Sequence, residues 1–154
     1  MRFYVGKGLE EYLQQLGKLQ NDGYLKQAIY PAAGKVAEAV KKNIESLPEC
    51  HPGGSYGVTK TQKEGLLEGF GIASFKNEDG YLQVKLGFDG YNKQRSKKYP
   101  NGQPNAMIAR SIEKGTSWSK KIRFVNTAVK ATKDEAEAMM KVAIDKNIEK
   151  IMKS

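Results

Sequence analysis

The strongest constraint on this chain's fold is an apolar stripe in its first third. Leu25, Ala28, Ile29, Ala32, Val36, Val40, Ile44 and Leu47 recur every three or four residues, the spacing that lines one side of an α-helix. Lys35, Glu38, Lys41, Lys42 and Glu45 fall elsewhere on that helix. Pro31 lies inside the pattern. It removes a backbone donor and predicts a kink or a reset of the helix start. Pro48 closes the pattern, because the residue before a proline is pushed away from helical angles.

Shorter signals surround this helix. Residues 1–5 read as a short strand, and Gly6-Lys7-Gly8 turns the chain. Leu9, Tyr12, Leu13, Leu16 and Leu19 predict a first amphipathic helix, stopped by Asn21-Asp22-Gly23. Residues 48 to about 63, rich in Gly and Pro and without apolar period, predict a mobile loop. Two strands follow, over 69–75 and 81–88, with Leu82, Val84, Leu86 and Phe88 on one face. Asn77-Glu78-Asp79-Gly80 supplies the hairpin turn between them. Residues 91–105 read as an irregular basic arm, and 106–113 as a short helix ended by Gly115. Thr132-Lys133-Asp134-Glu135 has the form of a capping box. It predicts the start of a C-terminal helix whose apolar stripe is Ala136, Met139, Met140, Ala143, Ile144, Ile148, Ile151 and Met152.

The expectation is therefore one α+β domain over residues 1–154. Its antiparallel β-sheet, a hairpin at about 69–88 plus the short N-terminal strand, packs against the long N-terminal-half helix and the C-terminal helix. A hydrophobic content of 39% in 154 residues is that of a globular chain, and this size builds a core without disulfide or metal support. One Cys excludes an internal disulfide, and one Cys with one His excludes the common protein-only zinc sites. No stretch approaches the ~20 apolar residues of a membrane span, and residues 1–7 lack the apolar core of a signal peptide. These features predict a soluble protein made in the cytoplasm.

The net charge is +9, and it is concentrated. Between Tyr91 and Arg123 lie Lys93, Arg95, Lys97, Lys98, Arg110, Lys114, Lys120, Lys121 and Arg123, against the single acid Glu113. Those 33 residues hold +8, and the rest of the chain is close to neutral. Such a stretch attracts phosphates or an acidic partner surface, or it only solubilises a loop. Tyr91, Tyr99 and Trp118 within it suit base stacking or interface anchoring equally.

Catalytic patterns are weak. Gly6-x-Gly8 sits between a strand and a helix, but a dinucleotide loop needs a third Gly where position 11 is Glu. Cys50 and His51 are adjacent, which does not place thiol and imidazole face to face across a cleft. Glu10-Glu11, Glu135 and Glu137 read as solvated helix acids, and Met139-Met140 as core. The expectation is a protein that is not an enzyme, with no catalytic, cofactor or metal site.

One segment carries a resemblance. Ile108-Ala109-Arg110-Ser111-Ile112-Glu113-Lys114-Gly115-Thr116-Ser117, followed by Arg123-Phe124-Val125-Asn126-Thr127-Ala128, resembles the tail-completion or neck proteins of tailed bacteriophages. The resemblance is to the gene-product-ten type of lambda-like siphophages, often carried in prophages. Ala109, Glu113, Gly115, Thr116, Phe124 and Ala128 hold the matching places. Gly8-Leu9-x-x-Tyr12-Leu13-x-x-Leu16-x-x-Leu19 and the Ala-rich second helix leading into a hairpin are similar to the same family. In this chain Lys114 intervenes between the acid and Gly115, and Arg123 stands where the family commonly has proline.

The resemblance implies a structural role. Such a protein joins tail to head at the neck, or completes the tail. It forms a homo-oligomeric ring on the particle, beside other neck and tail proteins, and is located in the virion at the head–tail junction. In isolation the chain is then expected to be a monomer, with no membrane partner. Lys93, Arg95, Lys97, Lys98, Lys120, Lys121 and Arg123 would face passing double-stranded DNA, touching it weakly and without sequence preference, or an acidic neighbour. Glu113 and Thr116 would fix the turn before Phe124. The alternative is a free nucleic-acid-binding protein using the basic 91–123 segment, although no recognition-helix or RNA-binding aromatic motif accompanies it.

Overall fold

The computed structural model describes residues 22–76 and 82–153. The strand and first helix expected before residue 22, and the hairpin turn at 77–80, lie outside them. The described chain has α+β packing, with helices α1 (Asp22–Glu45), α2 (Lys60–Gly69), α3 (Asn105–Lys114) and α4 (Phe124–Lys153). Strands β1 (Phe70–Lys76) and β2 (Leu82–Phe88) form a two-stranded antiparallel sheet.

The stripe on α1 does what its spacing predicts. Ala28, Ala32, Val40 and Ile44 are buried at four-residue multiples, and Leu47 is buried just beyond the helix end. The partner is α4, whose Phe124, Ala128, Thr132 and Ala136 are buried in a matching row. Rows four apart form ridges that seat in the grooves of a facing helix, and alanines let the backbones approach closely. Asn43 meets the Phe124 carbonyl at 2.8 Å, and Lys35 meets Glu135 at 3.4 Å. As numbers fall along α1 they rise along α4, so the two helices are antiparallel.

Pro31 does not reset the helix, which runs unbroken from Asp22 to Glu45. Its ring is on the exposed side of α1, where water can satisfy the carbonyl that loses its amide partner.

The hairpin pairs Phe70 with Phe88, Ile72 with Leu86 and Gly71 with Gly87. Val84, Leu86 and Phe88 are half-buried while Lys85 and Gly87 are exposed, so the strand face follows the two-residue alternation. The Phe70 and Phe88 rings are 5.1 Å apart, and Phe88 meets Phe124 edge-on at 6.1 Å. These rings fasten the sheet to the start of α4. Around them Val40, Ile44, Leu66, Ile108 and Ile112 complete one core.

Two elements differ from the sequence expectation. Residues 60–63 are not loop but the first turn of α2. Thr59 Oγ1 accepts from the Gln62 amide at 3.1 Å, and Gln62 Oε1 accepts from the Thr59 amide at 3.0 Å. That reciprocal cap satisfies two free amides and fixes the helix start. The loop before it, 48–59, is tied at its base. The Val58 amide donates to the Pro48 carbonyl at 2.9 Å, and the Cys50 amide donates to the Val58 carbonyl at 2.8 Å.

The second correction concerns Thr132, which does not cap a helix. α4 begins eight residues earlier, at Phe124. Thr132 is buried mid-helix, and its hydroxyl donates to the Ala128 carbonyl at 2.8 Å. The Thr-x-x-Glu spelling is satisfied in sequence only, because the amides it would cap already belong to the helix ladder. On the C-terminal stripe, Ala136 is buried and Met139, Met140, Ala143 and Ile148 are half-buried, whereas Ile144 and Met152 are exposed.

Candidate site: a capped junction and a basic cleft

The residues carrying the resemblance meet at the α3–α4 junction. Ala109 and Ile112 bury one side of α3. One turn later Glu113 extends its carboxylate to the start of α4, where it accepts from the Val125 amide at 2.9 Å and the Asn126 amide at 3.1 Å. Free amides and the positive end of the helix dipole both favour a carboxylate there. Gly115 ends α3 with φ 75°, a left-handed angle that suits glycine best. Thr116 closes the next turn, with its Oγ1 accepting from the Ser119 amide at 3.0 Å and its own amide donating to the Ser119 carbonyl at 2.9 Å. Phe124 and Ala128 then enter the core. Glu113 and Thr116 are thus both hydrogen-bonded to backbone amides between α3 and the first turn of α4.

All nine basic residues between Tyr91 and Arg123 are exposed, and none forms an ion pair with a described residue. Two of them line different clefts. Lys93 lines a cleft of ≈ 250 Å³ beside Glu64, Glu68 and Asp89. Arg95 lines a larger cleft of ≈ 470 Å³ on the other flank of the arm. Lys97 and Lys98 continue the arm from there, with Lys98 Nζ 5.6 Å from the centre of the Tyr99 ring. Lys120 and Lys121 follow Trp118 and Ser119, which also line the larger cleft. The Lys120 amide donates to the Ser55 carbonyl at 3.0 Å, tying that segment to the 48–59 loop. Arg123 directly precedes α4, and Arg110 and Lys114 sit on exposed positions of α3.

The arm is irregular in secondary structure but anchored. Asn92, only 2% exposed, donates through Nδ2 to the Gln62 carbonyl at 3.1 Å and to Asn105 Oδ1 at 3.0 Å. Its Oδ1 accepts from the Gln94 amide at 2.9 Å. Asn105 Nδ2 in turn donates to the Asp89 carbonyl at 2.8 Å. Gln62 Nε2 reaches Gln103 Oε1, and Thr59 Oγ1 donates to Gln94 Oε1. Buried amides linked this way hold the arm to α2, since an unpaired one is costly. Gly65 makes room for this network, because a Cβ at that position would run into the Asn92 amide.

The larger cleft is thus built from four separated segments: the 50–59 loop, the arm, α3 and the 116–119 turn. Its floor includes Val58, Ile108 and Ile112, and its walls include Gln62, Gln94, Gln103 and Ser111. Sequence reasoning found Arg95 and Trp118 but missed these wall residues. Only the Thr59-x-x-Gln62 box gave a local signal for any of them. Cys50 and His51 line the cleft as neighbours along the loop, and no carboxylate joins them there, so the arrangement offers binding groups and no nucleophile–base–acid array. Among the described residues, no group of three or more His, Cys, Asp or Glu side chains is placed to hold a metal ion, and no helix is long and apolar enough to cross a membrane.

Comparison with known proteins finds no matching family model, curated protein or solved structure.

Proposed function

We propose that this chain is a structural virion protein of a tailed phage or prophage, a ring subunit that completes the tail or joins it to the head. The observation that carries the reading is the junction between α3 and α4. Ala109, Glu113, Gly115, Phe124 and Ala128, on which the resemblance rests, are the residues that end one helix, cap the next and fasten both to the core. The role is one of assembly and not of catalysis. The exposed cations of the arm and of the 116–123 segment would meet a neighbour or the DNA passing through the ring.

Cryo-electron microscopy and mass spectrometry of purified particles test this reading. The expected result is the chain in multiple copies at the head–tail junction. Its absence from the particle would end the proposal.

A second reading, a free nucleic-acid-binding protein, is favoured by one observation: none of the nine exposed cations is ion-paired with a described residue. Duplex titration at several salt concentrations separates the two. Tight binding by the monomer with a steep salt slope supports the second reading, and negligible binding below about 0.1 M salt removes it.

A further inference from the structure

We propose that the ≈ 470 Å³ cleft seats an extended, acidic segment of a neighbouring protein. The inference rests on reading the chain as an assembly subunit, and it names the chemistry of the contact.

The first argument is charge. Among the residues lining the cleft none is acidic, and Arg95 is in the wall. Ser96 and Ser119 also line it, and the lysines next to them in sequence, Lys97, Lys98, Lys120 and Lys121, are all exposed. A groove lined by an arginine and no acid, with exposed lysines in the segments that build it, is complementary to a chain with acidic side chains.

The second argument is the order of the layers. Val58, Ile108 and Ile112 make an apolar floor, amides and hydroxyls make the walls, and Arg95 brings a cation to them. In an extended peptide successive side chains point to opposite faces. A segment alternating acidic and apolar residues places the apolar ones on the floor and the acids on the opposite, outward side, toward the exposed cations. The walls, held in position by the Asn92–Asn105 network, present partners for its backbone.

The third argument is size. A cleft of ≈ 470 Å³ is of the size that takes a small ligand or a few residues of a single chain. Single-stranded nucleic acid would fit, but its binders offer successive aromatic platforms. Here one fully presented ring, Trp118 at 79% exposure, stands at the edge.

Trp118 is the only tryptophan of the chain, so it gives a single indole signal. The test uses the full ¹⁵N-labelled chain and follows that indole cross-peak. The probe is a ten-residue peptide of alternating Glu and Val. A saturable shift is expected, with affinity falling about tenfold or more both at 0.5 M salt and in the Arg95→Glu/Lys120→Glu double variant. Both positions are exposed, and circular dichroism checks that the variant is folded. A Lys–Val peptide should leave the signal unmoved. No saturable shift with the Glu–Val peptide, an unchanged affinity in the double variant, or tighter binding of a ten-residue thymidine oligonucleotide would each overturn the inference. Particle analysis reports separately on the assembly role. A chain found at the neck that does not bind the peptide loses this inference alone, and a peptide-binding chain missing from particles loses the neck reading alone.

Discussion

Glu113 Oε2 lies 2.9 Å from the Val125 backbone nitrogen, so α4 takes its N-terminal cap from a residue twelve positions earlier, on α3. The second carboxylate oxygen takes the Asn126 amide. One side chain therefore fixes the angle between two helices and satisfies two donors at once. Removing it exposes both amides and the positive helix end. Glu113→Ala should lower unfolding stability by about 1–2 kcal/mol. Glu113→Gln, which keeps an acceptor and loses the charge, should lower it by less. Urea denaturation of both variants measures this. Equal and negligible losses would show that the contact does not hold the junction.

Thr132 gives the complementary case. Its hydroxyl bonds back to the Ala128 carbonyl within the same helix, and that carbonyl also belongs to the helix ladder. Replacing a buried hydroxyl by a methyl of the same shape leaves no donor stranded. Thr132→Val should change stability by less than about 0.5 kcal/mol, whereas loss of a true N-cap costs about 1 kcal/mol. Thermal unfolding distinguishes the two, and a loss above 1 kcal/mol would restore a capping role.

Asn92 should behave differently from both. It is buried and holds Gln62, Gln94 and Asn105 at once. Asn92→Ala leaves the Asn105 carbonyl oxygen without that donor and frees the base of the arm. The expected cost is about 1–3 kcal/mol. Hydrogen exchange should accelerate at the Gln103 amide, which bonds to the Gln94 carbonyl across the arm. Gly65→Ala should reproduce part of this effect, because its Cβ would push on the Asn92 amide without removing any polar group. Unchanged exchange in both variants would mean that the amide network does not anchor the arm.

These contrasts show which parts of the fold can be read locally. α1 was legible because Ala28, Ala32, Val40 and Ile44 repeat within one helix, and the hairpin because its strands are adjacent in sequence. α2 was overlooked because it buries Leu66 alone, contains two glycines and has no strong period. Thr59-x-x-Gln62 marked its start all the same. The beginning of α4 was misplaced because Thr132 and Glu135 spell a cap wherever they occur, while the acting cap, Glu113, is outside any local window. The basic residues were all identified, but the separation of Lys93 and Arg95 into two different clefts was not. It depends on Asn92 and Asn105 bringing the arm against α2, a pairing with no periodic signature.

The α1–α4 contact allows a last test, of packing against charge. Lys35 and Glu135 join the helices at 3.4 Å, but their side chains are 41% and 56% exposed. Water screens such a pair, and holding two long side chains together costs entropy. Lys35→Ala should therefore cost about 0.5 kcal/mol or less. Ala32, 2% exposed, lies in the buried row of the same helix. A larger side chain there must push α4 away or adopt a strained rotamer. Ala32→Leu should cost about 1–3 kcal/mol although it adds apolar surface. Denaturant midpoints of the two single variants decide the matter. If Lys35→Ala is the more damaging change, the helices are held by charge and not by the close approach of their small residues.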